Sequence, residues 1–253
     1  MFLILSSKLF SINGHLMCRV DLIGCANEDI PPFFPFHTNI IALDPNYPDS
    51  IAIPFRVQGL INTIAAASFS LLPILNLFAN IVRFNTFLEN TITASGDATW
   101  KDFTWSGQHI QPLTYRLLTL RSPFEPMNPS TATHEILRLV LMLYLTPIRR
   151  NFGIYPVVVD IHVTKLWALI RDPLQDSPPG VFSNELRFWV LAMGAMEAEG
   201  MLRDAFTMEL KDIVSNMDIV SFSHAEEVLK SVMLLEVHDP GLRTLWMEIE
   251  TEQ

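Results

Sequence analysis

His134-Glu135 is the only His-Glu pair in the 253-residue chain. Position 138 is Arg, not the second histidine that a His-Glu-x-x-His zinc site requires. A helix cap just ahead of the pair makes His134 a first-turn surface residue. Asp160 and His162 have the chemistry of an acid–base dyad, but two residues apart on a helix they face in different directions. Glu197 and Glu199 diverge in the same way and read as a solvated helix end. Cys18 and Cys25 are the only cysteines. With His15 they supply three ligands where one zinc needs four, so the expectation is free thiols among apolar neighbours. His37, His109, His224 and His238 lie in separate segments. There is no Gly-x-Ser-x-Gly elbow, no Gly-x-x-x-x-Gly-Lys and no Gly-x-Gly-x-x-Gly. The sequence therefore yields no catalytic, cofactor-binding or metal-binding residues and implies no cofactor. A non-enzymatic protein is expected.

Charge narrows the partners. The net charge is -10, and from Val181 to Gln253 five Lys/Arg face fourteen Asp/Glu. Between 101 and 180 there are eight basic and six acidic residues, with Arg149-Arg150 the only basic pair. Phosphate binding needs clustered cations that displace counterions, so no direct nucleic-acid contact is expected. The acidic last third suits a basic protein surface instead. Five tryptophans and seventeen phenylalanines would serve either a ligand cavity or the core, and at helical spacing they read as core.

The elements that would position these residues are helical. An apolar fraction of 49% and a charged fraction of 17% lie on the hydrophobic side of globular composition. A chain this long buries roughly 70–75% of its unfolded surface without a disulfide or metal staple. Two cysteines fit a reducing compartment. The apolar start breaks at Lys8 and lacks a basic lead-in, which argues against a secretory leader. Residues 1–54, with Pro31-Pro32-Phe-Phe-Pro35 and Asp44-Pro-Asn-Tyr-Pro48, read as a proline-rich irregular arm, and 55–253 as a helical domain.

Val57–Val82 has the length of a membrane span and no charge. Gln58, Asn62, Asn76 and Asn80, however, fall within about 40° of one another on a helical projection. That stripe predicts two amphipathic helices broken near Pro73, with membrane association through 57–82 the lesser alternative. Ser130 or Thr131 is expected to cap a helix over Glu135–Leu145, apolar on every side from Leu139 and stopped by Pro147. Pro156 would open the next helix, with Leu166, Trp167, Leu169 and Ile170 inward; Pro156–Ile161 is too isolated to be a strand. Asp172-Pro173 would end it, and Asp176–Gly180 would be a loop. Ser183 or Asn184 should cap Glu185–Glu199, stopped by Gly200. Ser223-His-Ala-Glu226 fits a capping box for a helix through Glu236. His238–Gly241 would turn into a last helix holding Leu245, Trp246 and Ile249. The expected fold is all-α, an irregular bundle or solenoid-like array of packed helices.

Three segments in order carry a resemblance: Glu135-Ile-Leu-Arg-Leu-Val-Leu-Met-Leu-Tyr-Leu, Leu186-Arg-Phe-Trp-Val-Leu-Ala-Met-Gly-Ala-Met-Glu-Ala, and Leu229 onward to Leu245-Trp-Met-Glu-Ile-Glu. Together they resemble the fungal-specific transcription factor domain, the regulatory region that follows a binuclear zinc cluster. The likeness spans about residues 55–250. It implies a nuclear regulatory domain, with a cytoplasmic location as the alternative. Its partners would be proteins of the transcription machinery or a DNA-binding partner, and a small-molecule effector is a second possibility. The six-cysteine cluster is missing, so the resemblance carries no DNA-binding module. Ala192, Gly194, Ala195 and Ala198 leave room for a neighbouring helix, and Trp167, Trp189 and Trp246 would fill the wider gaps.

Overall fold

A helix that is apolar all round must be covered all round. The computed structural model describes residues 19–36, 51–121, 129–171 and 182–251. These form helices α1 (19–28), α2 (Phe55–Ala67), α3 (Leu72–Ser95), α4 (Phe103–Thr119) and α5 (Pro129–Asn151). They continue as α6 (Asp160–Arg171), α7 (Asn184–Glu197), α8 (Gly200–Asn216), α9 (Phe222–Val232) and α10 (Asp239–Glu250). No strand occurs among the described residues, and the fold is all-α. Every residue from Leu139 to Leu145 is at most 3% exposed. α5 packs on α4, α6 and α7, while α7 bears in turn on α8, α9 and α10.

The break near Pro73 is present. α2 ends at Ala67, a 3₁₀ turn covers Phe69–Leu71, and Pro73 lies in the first turn of α3, where its missing N–H costs nothing. The four amides of the stripe stand exposed or half-exposed. Phe69–Lys101 is long and apolar enough to cross a membrane, with 56% of its most apolar window buried within the protein. α7 and α8 approach closely at Gly194: a Cβ there would stand 2.5 Å from Phe206 Cε1, so the Phe206 ring of α8 rests on the α7 backbone. Trp189 fills the space beside it, fully buried, and its indole N–H donates to the Met233 carbonyl at 2.6 Å.

Several boundaries differ from expectation. Within the stretch expected to be irregular, α1 docks on the core through Leu22, Cys25 and Ala26. Its sequence is proline-free until Pro31, which allows the helix. Asp29 closes it at φ 49, with the Ile30 N–H donating to the Cys25 carbonyl at 3.0 Å.

α5 does not stop at Pro147. An interior proline costs about 3 kcal/mol. Burial of Ile148 and Phe152 holds the next turn, and Gly153 at φ 66 then ends it. There the Ile154 N–H donates to the Arg149 carbonyl at 3.0 Å. α6 begins at Asp160 instead of Pro156, because the Val158 N–H is committed to Asn27 Oδ1 at 3.1 Å and three consecutive valines resist helix. Leu166, Leu169 and Ile170 are buried as expected; Trp167 is half-buried against Phe206.

Ser183 caps α7, accepting from the Leu186 N–H at 3.3 Å, and that helix ends at Glu197. Ser221 caps α9 in place of Ser223, accepting from the His224 N–H at 3.2 Å. α9 ends at Val232, and His238 leads directly into α10, which uses Pro240 in its first turn. Leu245, Trp246 and Ile249 are buried. Ser130 and Thr131 lie inside α5, whose true cap falls outside the described residues, as do Cys18, His15, His37, Asp172-Pro173 and the 176–180 loop.

Candidate functional site

Of the residues singled out for chemistry, the structure gathers two. Glu135 and His162 meet Asp29 and Arg138 in a dry ionic cluster where α1 lies across α5 and α6. Arg138 is a cation in the middle of a buried helix, and an unpaired charge there would be prohibitive. Its guanidinium donates through Nε to Glu135 Oε2 at 2.8 Å and through Nη2 to Glu135 Oε1 at 2.6 Å and Asp29 Oδ2 at 3.0 Å. Lys165 reaches the same carboxylate at 2.5 Å, and His162 Nε2 lies 3.7 Å from Asp29 Oδ1. Burial works to raise the Asp29 pKa, but the hydrogen bond and charge of Arg138, with Lys165 added, hold it below the usual carboxylate range. The same burial pushes His162 down to about 4, so the ring is neutral. Asp29 and Arg138 are both 0% exposed, so no substrate reaches them. The cluster is a clamp that fixes α1.

The sequence held one sign of this clamp. A Glu–Arg pair at i, i+3 opening a run of uninterrupted apolar residues has to be satisfied from within the protein. Nothing in the sequence marks Asp29 as the partner, since it lies 109 residues from Arg138.

The other candidates separate. Asp160 is exposed while His162 is buried, as their spacing required. His134 is not a surface residue: it is half-buried, and burial lowers its pKa. Glu197 is not a solvated helix end, because its side chain is 7% exposed against Arg150; Glu199 is exposed. Cys25 is a free, buried thiol, pushed up to about 11 by burial and by the neighbouring Asp21. Among the described residues no three His, Cys, Asp or Glu side chains are grouped to hold a metal ion.

Among the described residues, a surface cleft of about 340 Å³ is open to a ligand. α3 supplies Glu89, Ile92 and Thr93, three positions that share one helix face. Gly96, at φ 58, turns the chain into a 3₁₀ segment, Gly96–Lys101, that brings Asp97 and Trp100 to the rim. Thr99 ties that segment back by donating to the Thr91 carbonyl at 3.3 Å. Trp100 is braced by Phe152, ring centres 4.9 Å apart. The opposite wall is Leu235–Val237, after α9. Three carboxylates, Glu89, Asp97 and Glu236, therefore surround an indole. Partial burial raises the Glu89 pKa, with Lys230 opposing. Such a lining favours a cation, which gains from the carboxylates and can rest against the indole. Aromatic content alone could not reveal this, because Trp100 belongs to both the cleft wall and the cluster beneath it.

No family model, no curated protein and no solved structure matches the chain.

Proposed function

We propose that the chain is a non-catalytic regulatory domain of the kind the fungal transcription factor resemblance implies, controlled by a small organic cation held in the acidic cleft. The cleft carries this reading: its volume of about 340 Å³ lies within the range of small-molecule sites. Its carboxylates and Trp100 define the charge of the occupant. The resemblance supplies the regulatory role. The segments that carry it fall on α5, α7, α9 and α10, and α7 touches each of the other three.

The route to a partner runs over the acidic last third. Glu199, Asp204, Asp212, Asp218, Glu227 and Glu250 stand exposed there, a surface for a basic protein of the transcription machinery or a DNA-binding partner in the nucleus.

The test is thermal unfolding of the full chain with alkyl diamines, guanidines and size-matched neutral and anionic compounds. Cations should raise the midpoint in proportion to the logarithm of their excess. Glu89→Gln with Asp97→Asn should abolish the shift. Equal responses to cations and to neutral analogues, or no response in either, would sink the effector reading.

A further inference from the structure

α2 is an apolar helix, yet only Val57 and Ile64 of its 13 residues are buried. Phe55, Gly59, Asn62 and Ala66 follow at i, i+4, i+7 and i+11, so they form one row along its outer face, and all four are exposed. Phe55 is 92% exposed, and Phe69, in the turn just beyond the helix, is 81% exposed. Single exposed apolar residues are ordinary, but here two phenylalanines bracket one thinly covered helix.

Gly59 indicates what approaches. Glycine is less favourable than alanine inside a helix, and neither backbone nor crowding calls for one here: the helix is regular, and a Cβ would meet nothing within 4 Å. A backbone arriving from outside the protein gives the missing side chain a purpose. Lipid gains nothing from a missing side chain. A second helix does, because crossing helices are closest at the crossing point and diverge toward their ends. α2 has the matching profile, small at Gly59, Thr63 and Ala66 and bulky at Phe55, with Phe69 beyond its other end. Polar side chains of the face bond within it: Gln58 Nε2 donates to Asn62 Oδ1 at 2.9 Å, and Thr63 Oγ1 donates to the Gly59 carbonyl at 3.0 Å. Covering them costs less than covering free groups.

Charge selects the occupant. The chain carries a net charge of -10, but no Asp or Glu lies between Asp49 and Glu89. A basic partner finds no carboxylate on α2, whereas a second copy of this acidic chain can approach it without setting carboxylate against carboxylate. Four phenylalanine rings, two from each copy, remove roughly 600–1,000 Å² from water at about 150–250 Å² each. Specific interfaces start near about 1,000 Å² in total, which the helix faces between the rings complete.

We propose that two copies of this chain pair through α2, antiparallel about a two-fold axis at Asn62. Phe55 and Phe69 lie seven residues to either side of Asn62. The axis therefore sets Phe55 of each copy at the end of α2 where the partner's Phe69 stands, and places each Asn62 amide against its own counterpart. α2 lines no wall of the acidic cleft, so the pairing does not depend on the effector reading.

The experiment is sedimentation of the full chain over a concentration series, with and without neutral phosphatidylcholine vesicles. A reversible dimer is expected without lipid. Phe55→Ser with Phe69→Ser should make it monomeric. Gly59→Leu should weaken the dimer severalfold while the unfolding midpoint of the dilute chain stays level or rises, since the space beside Gly59 is open. All these residues are exposed, so helical circular dichroism should be retained. Mild oxidation should link Asn62→Cys into a covalent dimer but not Arg56→Cys, whose two copies stand about 18 Å apart along the helices. A monomer at every attainable concentration, a dimer that survives the phenylalanine substitutions or Gly59→Leu, equal cross-linking at 56 and 62, or cosedimentation with vesicles in place of pairing would overturn the proposal.

Discussion

Asp29 Oδ1 lies 2.8 Å from Arg138 Nη1, with neither side chain exposed, and this contact joins the end of α1 to the centre of α5. Removing either partner leaves the other undercompensated in a dry interior, with Lys165 alone on Asp29 or Glu135 alone on Arg138, which costs up to about 3–5 kcal/mol. Asp29→Asn and Arg138→Leu should each lower the urea midpoint by that order. The double variant should lose less than the sum, because neither charge is then orphaned. Strict additivity in the double-mutant cycle would show that the contact is not a coupled pair. The pH dependence has a definite sign. A carboxyl held below its ordinary value of 3.8 contributes stability that is complete above that value. It is lost as pH falls through the lower, folded value, so Asp29→Asn should flatten acid unfolding below about pH 4.

His238 should dominate a second pH window. Its Nδ1 sits 3.1 Å from the Leu235 carbonyl and its Nε2 3.0 Å from the Tyr144 carbonyl. Burial outweighs the pull of those two acceptors and drives its pKa down to about 4 from 6.5. Since the unfolded ring takes a proton that the folded ring refuses, stability is full above 6.5 and declines as pH falls toward 4. The gap is worth on the order of 3 kcal/mol. His162, also near 4, adds a decline of the same sign. Urea unfolding from pH 7 to 4.5 should show the loss, and His238→Gln should remove a large part of it. An unchanged slope in that variant would place the proton uptake elsewhere.

The pattern of apolar residues was enough to place α3, α5, α7 and α10, because helices that bury a wide face announce it at 3.6-residue spacing. Their ends were harder. Ser221 and Ser223 have the same chemistry, and only the extended backbone of Ser221 decides which one caps α9. Pro147 stops helices in general, yet the burial of Ile148 and Phe152 overrides it here. α1 was hidden in a proline-rich neighbourhood. The acidic cleft was illegible for a different reason: Glu89, Asp97 and Glu236 come from α3, from the turn after it and from beyond α9, and nothing local links them. Arg149 and Arg150 are adjacent and alike in the sequence. Burial separates the two, leaving Arg150 39% exposed and Arg149 4%.

Gly194 is needed for space, since α7 is regular there. A methyl group would meet the Phe206 ring at 2.5 Å, and that ring is fully buried and braced by Trp167 at 4.9 Å, so it cannot swing away. Gly194→Ala should therefore destabilise by about 1–3 kcal/mol despite alanine's better helix propensity. Phe206→Leu opens the space. In that background Gly194→Ala should cost nothing or help, as read by denaturant midpoints. A penalty that persists once the ring has been removed would mean that the collision is not the cause.

Glu197 reverses the usual expectation for an ion-paired carboxylate. Arg150 Nη1 lies 2.8 Å from its Oε2, which should favour the charged form. Burial acts the other way and is the larger influence, so the carboxyl is pushed up to about 7. The imbalance is physical: Glu197 is 7% exposed and desolvated, while solvent screens the charge of Arg150, which is 39% exposed. A folded pKa above the unfolded value of 4.5 gives stability that is full below 4.5 and lost as pH rises through 7. This opposes the trend set by His162 and His238 in the same window, so the wild-type profile should be flatter than the two histidines alone would produce. Gln imitates the protonated acid and does not titrate. Glu197→Gln should leave stability near the wild-type level at pH 4.5 and raise it at pH 8, with a steeper rise between. If the variant is instead less stable than wild type at pH 8, the Arg150 pair outweighs desolvation, and Glu197 is a conventional ion-pair partner.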